Sequence, residues 1–508
     1  MNDRTSMLRT QWLDRWAMYT PSKTAIKDDA TGEVFTYASA SETANRLARH
    51  LQSEHGIRSG DRIAVLSQNC IEYLFLYLAA QQIGAILVPV NYRLAAPEIA
   101  FILSDSGAVL LVVQDVYVSL VSGMERSSLP GRTISLAQVR SVMNDRSLDP
   151  RLLPFTPGFD DPCMILYTSG TTGRPKGALI TNSMVFWNSI NTEMRLNITS
   201  ADVALSFAPF FHTGGWHVLT TPFLHHGATI VLLTGFQAER IVELCDSEGV
   251  TILFGVPTMM KMMSETAAFA KTTFQSVRFA IVGGEPMPIP QIELWQAKGV
   301  PVRQGFGLTE VGPNCFSLPE EDAIRKKGSI GFPNFYIDTR IVTDNGGDAD
   351  VNEPGELWMR GPVVTPGYWN NPVATREAIS DGWFKTGDIV RCDPEGYFYV
   401  VDRKKDMFIS GAENVYPAEI ERLLYTHPSV AEAAVVGVFD EKWGEAGKAF
   451  IVLKHGAAAD AETFRTLCRE NLAKYKVPKY FAFLSELPKG HSGKVLKRAL
   501  KELHQATP

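Results

Sequence analysis

The stretch Tyr167 to Gly177, YTSGTTGRPKG, decides how the rest of the chain is read. Three glycines, Gly170, Gly173 and Gly177, alternate with the hydroxyl residues Thr168, Ser169, Thr171 and Thr172, directly after an apolar, strand-like run, CMILY. Glycine lets a backbone adopt positive φ and bring its N–H groups close to phosphate oxygens. The hydroxyls add donors and Lys176 adds a compact positive charge. Such a string reads as a polyphosphate cradle. It lacks the Gly-Lys-Ser/Thr ending of a P-loop, which sets it apart from the P-loop nucleotide hydrolases.

Outward from this loop, short Val/Ile/Leu runs recur through the first 400 or so residues: RIAVLSQN, GAILVPVN, AVLLVVQD, GATIVLLT and VTILFGVP. Segments of helical character, such as Ile71 to Ile83 and Ala238 to Ser247, lie between them. Continuous apolar strands alternating with helices predict an α/β fold with parallel sheets buried on both faces. Between Gly328 and Val401 the texture changes to Gly, Pro and aromatic residues with short alternating runs (GELWMRG, YFYVVD), which predicts a small β-rich subdomain. From Pro417 onward, helices (AEIERLLYTHP, AETFRTLCRENLAKY) and strands (EAAVVGVFD, KAFIVLKH) predict an α+β unit of ordinary domain size, with the boundary at Asp402 to Asp406.

A chain of 508 residues is too long for one hydrophobic core, so more than one domain is expected. With 45% hydrophobic and 20% charged residues and a net charge of −6, the composition is that of a globular protein with a small-molecule partner, not a nucleic-acid partner. The N-terminus has no continuous apolar region, and the longest apolar runs fall far short of the roughly 20 residues that span a bilayer. A cytoplasmic protein without signal peptide or integral membrane segment is expected. The six cysteines are scattered without a CxxC pair, which argues against a disulfide framework or a zinc site.

Five further motifs follow the loop in order: FFHTGGW (Phe210 to Trp216), GFGLTE (Gly305 to Glu310), WFKTGD (Trp383 to Asp388), DRKKDMFISGAENVYPAEIE (Asp402 to Glu421) and PKGHSGK (Pro488 to Lys494). With them the chain resembles, over essentially its whole length, the adenylate-forming superfamily of acyl-CoA synthetases, luciferases and peptide-synthetase adenylation domains. The resemblance implies a large N-terminal domain (1–402), a hinge (403–406) and a small, mobile C-terminal domain (407–508). It implies ATP, Mg²⁺ and coenzyme A as cofactors, and it admits a homodimer.

By resemblance, the first half-reaction sets a carboxylate against the α-phosphate of ATP, so cations and oriented donors must offset the meeting of two anions. Glu310 and the Thr168 hydroxyl are assigned to Mg²⁺, which favours hard oxygen ligands. ATP or AMP is assigned to Thr168, Ser169, Gly170, Thr171, Thr172, Gly173 and Lys176, to Gly283, Gly284 and Glu285 of VGGEP, and to Gly305, Phe306, Gly307 and Thr309. Phe306 would lie against adenine, with Asp388, Arg403 and Val400 around the nucleoside. Lys494 is the expected catalytic cation between the substrate carboxylate and the α-phosphate, and Lys405 occupies the hinge position.

For the second half-reaction, the resemblance implies that the C-terminal domain rotates, withdrawing Lys494 and bringing in the Asp402 to Pro417 segment. Gly411 and Ala412 would border a pantetheine tunnel, narrowed by the Ala412 methyl, while Trp443, Tyr475 and Lys476 would meet the coenzyme A nucleotide. The absence of an acyl-carrier domain after Pro508 favours free coenzyme A. The acid is assigned to His212, Trp216, Gly284, Gly307 and Leu308, with His212 orienting or gating the carboxylate and Trp216 as a gate or a core side chain. A medium- or long-chain fatty acid is expected first, and an aryl or arylalkanoic acid next. Two other readings remain: a luciferase-like oxygenase, and a binding protein that keeps the fold without chemistry.

Overall fold

The computed structural model describes residues 12–150, 157–168, 175–410, 413–441, 443–490 and 494–505. Four sheets organise these residues. In the first, strands Arg132–Ser135, Leu110–Val113, Arg62–Leu66, Ile86–Val90 and Pro162–Thr168 run parallel in that spatial order, and Lys176–Thr181 closes the edge antiparallel. The second, of nine strands, has a parallel centre: Val302–Leu308, Phe279–Val282, Ile252–Gly255, Val203–Ser206, Thr229–Leu232 and Thr24–Asp28. The apolar runs of the sequence are these strands.

Helix Ile71–Ile83 shows why the two sheets form one body. Its sequence, IEYLFLYLAAQQI, is apolar on every face, and all but Glu72 of its residues are buried. A helix of that kind must be covered all round, and it sits in one continuous core with side chains of both sheets, including Ile63, Val65, Ala25 and Ile230. Burying Leu74, Phe75 and Leu76 there contributes about 2 kcal/mol each. Gly84, at φ 68°, ends the helix in the left-handed conformation that glycine adopts at little cost.

The third sheet, antiparallel, is built from Asp338–Val342, Gly355–Arg360, Ile379–Ser380, Trp383–Cys392 and Phe398–Arg403. The fourth begins at Phe408–Ser410 and continues with Glu413–Val415, Val430–Asp440, Gly444–Leu453 and Tyr480–Phe483, covered by helices Pro417–Tyr425 and Ala461–Asn471. The architecture is thus the expected α/β body with a β-rich subdomain and a small α+β C-terminal domain. Among the described residues no helix is long and apolar enough to cross a membrane.

The core carries a liability to acid. Burial pushes His217 and His225 down from 6.5 to about 3, with the neighbouring His226 adding to the effect at His225. The unfolded chain takes up protons at these imidazoles as the pH falls through 6.5, whereas the folded chain refuses them until about pH 3. Protons therefore favour unfolding across that window, by about 1.4 kcal/mol per pH unit for each group. The melting temperature is expected to fall by several degrees between pH 7 and 5.5, and a His217→Gln variant should show a shallower slope in a pH series of melts.

Candidate active site

In open α/β sheets the ligand crevice lies beyond the carboxyl ends of the parallel strands, and both large sheets aim those ends at one cleft. Gly283, Gly284 and Glu285 follow strand Phe279–Val282, and Thr309 and Glu310 follow Val302–Leu308. Strand Pro162–Thr168 of the other sheet delivers Thr168. The Thr168 hydroxyl stands 3.5 Å from Oε1 of Glu310 and joins the two sheets at the site.

The two antiparallel strands that flank the glycine-rich stretch pair Thr168 with Lys176 and Tyr167 with Gly177. A Cβ at Gly177 would come within 2.6 Å of Ile165 and 3.2 Å of the Tyr167 ring, so only glycine fits there. Tyr167 donates to Asp105 at 2.6 Å, and Trp369 donates to the Asp105 carbonyl at 3.0 Å, anchoring the strand pair. Ser169, Gly170, Thr171, Thr172 and Gly173, assigned above to phosphate, lie outside the described residues, as do Gly411 and Ala412.

Tyr368 is a site residue that the sequence did not reveal. Its hydroxyl donates to Oε1 of Glu310 at 2.9 Å, and the Lys176 ammonium lies 5.5 Å from its ring centre. Burial and the Glu310 charge hold its phenol well above the usual range, so it stays a donor. Among the described residues no group of three or more His, Cys, Asp or Glu forms a metal site. One carboxylate beside a hydroxyl does suit Mg²⁺ arriving with nucleotide phosphates, because that ion keeps several water and phosphate ligands. Tyr368→Phe is expected to raise the Mg²⁺ concentration for half-maximal activity roughly 5-fold, the value of about one hydrogen bond. A magnesium titration of the variant checks it.

Asp388 pairs with Arg403 across two antiparallel strands, and the Arg403 Nε lies 3.1 Å from its Oδ1. Its Oδ2 is buried with no hydrogen-bond partner among the described residues. Burial raises the carboxyl above its ordinary range, opposed by Arg403, Lys494 and Lys405. A buried acceptor without a donor is costly, and the polar groups of a ligand would satisfy it. Phe306 meets Phe316 edge-on at 5.8 Å, and Val400 lies opposite Val390.

Lys494 comes from the C-terminal domain and shares the field of Arg403, Glu285, Asp388, Lys405 and His212. Solvent reaches it, yet the surrounding protein desolvates its ammonium and pushes it down, with Arg403 acting in the same direction and Glu285 and Asp388 against. Burial likewise raises Glu285, with Lys494 opposing. His212 is pushed down to about 4 by burial, Lys494 and Arg93, so its imidazole is neutral at pH 7; its Nε2 is buried without a partner among the described residues.

Residues 13–369 match the family model described as AMP-binding enzyme, and residues 419–494 match the AMP-binding enzyme C-terminal domain. The chain belongs to the AMP-binding enzyme family. It is 38% identical over 494 residues to a feruloyl-CoA synthase of Amycolatopsis sp., covering 96% of this chain and 98% of that one. It is 37% identical to a long-chain-fatty-acid–CoA ligase of Mycobacterium tuberculosis over 501 residues, 97% of each. Among solved structures, the o-succinylbenzoate coenzyme A synthetase of Bacillus subtilis in complex with ATP and magnesium ion superposes with a TM-score of 0.85 at 33% identity, covering 97% of this chain and 99% of that one. The chain is an AMP-forming acid–thiol ligase of the adenylate-forming superfamily.

Other AMP-binding family positions fall in different surroundings. Trp216 is fully buried in the core, stacked on Phe210 at 4.0 Å, against Tyr73 and Tyr77, with its indole N–H donated to the Phe210 carbonyl. In this structure Trp216 therefore takes the place of a core side chain. On the cleft side of the same segment, a Cβ at Gly214 would meet the Phe254 ring at 3.6 Å, and one at Gly284, at φ 88°, would meet Val256 at 3.4 Å. Gly307 has no room for a Cβ, with Pro313 at 2.3 Å, so there glycine serves packing as much as ligand access.

Trp443 and Tyr475 are exposed on the C-terminal domain, while Lys476 pairs with Glu419 at 2.8 Å. Gly444, next to Trp443, pairs with Ser410, and the turn Lys474–Lys476 packs on strand Glu413–Val415. The three residues therefore flank one edge of this domain.

Proposed function

We propose that this ligase converts an apolar carboxylic acid and ATP to an acyl-adenylate and pyrophosphate, and then forms the thioester with coenzyme A. The observation that carries this reading is Lys494, brought by a second domain into the field of Asp388 and Glu285. Its ammonium would bridge the attacking carboxylate and the α-phosphate, stabilising charge that develops as the acyl C–O–P linkage forms and pyrophosphate leaves. Asp388 and Arg403 would hold the ribose, and Glu310 with Thr168 would hold Mg²⁺, whose charge would offset that of the phosphates. Neutral His212 offers the carboxylate a donor without adding a competing charge. Residues 403–406, which lead from the end of the third sheet towards the fourth, would form the hinge on which the C-terminal domain turns, so that the edge bearing Trp443, Tyr475 and Lys476 delivers coenzyme A.

Two readings of the acid follow. Similarity to the mycobacterial ligase supports a medium- or long-chain fatty acid. The Phe254 ring beside bare Gly214, together with similarity to a feruloyl-CoA synthase, supports an aryl or arylalkanoic acid. A panel of both kinds, assayed for AMP release with and without coenzyme A, tests the reading. Coenzyme-A-dependent AMP release with a thioester product is expected for at least one class. AMP release at an unchanged rate without thioester from any acid would sink it.

A further inference from the structure

Asp402 is the penultimate residue of strand Phe398–Arg403 and is buried at 5% exposure. Its Oδ2 accepts the N–H of Ala418 at 2.8 Å, and its Oδ1 accepts the N–H of Arg403 at 2.7 Å. Ala418 lies in the first turn of helix Pro417–Tyr425, whose own cap residue, Tyr416, makes no side-chain capping bond. A carboxylate at a helix N-terminus satisfies a free N–H and meets the positive end of the helix dipole. Here the cap is supplied from the other side of the 403–406 linker.

The same helix is tied through Glu421 to the segment that carries Lys494. Oε1 of Glu421, one turn on, accepts the N–H of Val435 at 2.8 Å and pairs with Lys497 at 2.9 Å. Lys497 opens the last helix, three residues after Lys494. Burial works against its ammonium, but Glu421, Asp402 and Asp406 outweigh it and raise the group. Beside the linker, by contrast, the two domains stand apart around a cavity of about 390 Å³ lined by Asp344, Glu353, Lys404, Met407, Asn414 and Tyr416.

We propose that Asp402 is a positioning residue for adenylation: by capping helix Pro417–Tyr425 across the linker, it holds the C-terminal domain where Lys494 enters the cleft. The proposal rests on the ligase reading, in which that domain serves the first half-reaction in this arrangement and the second after turning. Turning parts the carboxylate from the helix, so loss of the cap penalises only the first arrangement.

The test measures both half-reactions in the full chain, with an acid from the panel: ATP–pyrophosphate exchange, and thioester formation from supplied acyl-adenylate and coenzyme A. Asp402→Ala is expected to slow exchange about 10-fold, a fold-change in the range of a lost helix cap, and to leave the thioester step unchanged or faster. Asp402→Asn, isosteric and still an acceptor, is expected at an intermediate exchange rate with the same split, and it carries the test if the alanine variant does not fold. Equal slowing of both steps in a folded variant, or unchanged exchange, overturns the proposal. Failure of the unsubstituted chain to form thioester from acyl-adenylate would instead overturn the ligase reading.

Discussion

Lys494→Ala is expected to lower ATP–pyrophosphate exchange by about 100- to 1,000-fold, the usual loss when one oriented stabiliser of developing charge is removed. Thioester formation from supplied acyl-adenylate should stay within about 3-fold of the unsubstituted chain. The asymmetry follows from where the lysine comes from. Lys494 stands on the C-terminal domain, outside the two large sheets, and enters the cleft only because that domain is docked with Lys494 near Arg403, Glu285 and Asp388. On the proposed mechanism, the step that follows the domain's turn would not involve the ammonium. Lys494→Arg keeps the charge but exchanges a compact ammonium for a planar fork, so it should recover only part of the exchange rate. Equal loss in both half-reactions would mean that the substitution damages the domain and not the charge. A melting curve alone would not separate the two.

The readable parts of this molecule are those in which a local pattern has one physical solution. The run IEYLFLYLAAQQI is apolar on every face, so it had to be a buried helix, and Ile71–Ile83 is one. The strand runs RIAVL and ILVPV had to be covered on both sides, and they lie in the parallel sheet. Gly177 was read as freedom of the backbone, whereas its tightest constraint is the lack of space beside Ile165 and Tyr167, which only the cross-strand register reveals.

Trp216 follows two glycines in a motif that lines the cleft, and sequence alone does not say which way a side chain on that short helix turns; the helix Thr213–His217 points it into the core. Tyr368 escaped notice because it stands beside Trp369 in a Gly/Pro-flanked segment that reads as a turn, and its partner Glu310 is 58 residues away. Asp402 was visible only as part of a charged linker. Its role at Ala418, 16 residues on, depends on how two sheets meet.

Asp388→Ala is expected to raise the KM for ATP by about 100-fold or more, the loss of two hydrogen bonds to a charged acceptor at about 1.5 to 3 kcal/mol each. Oδ1 is held by Arg403 and Oδ2 is buried without a partner among the described residues, so the carboxylate is fixed in direction before any ligand arrives. An acceptor fixed in this way selects for hydroxyl donors. The unsubstituted enzyme should therefore use 2′-deoxy-ATP and 3′-deoxy-ATP at least 10-fold less efficiently than ATP, whereas Asp388→Ala should treat the three nucleotides nearly alike. If the variant still discriminates as the parent does, the ribose is held elsewhere and Asp388 serves only to anchor Arg403. The pH dependence supplies a second check. Burial raises this carboxyl above the ordinary range, and only the ionised form presents two acceptor oxygens. ATP binding should therefore weaken on acidification at a higher pH than an ordinary aspartate would give, and a variant without the carboxyl should lose that part of the profile.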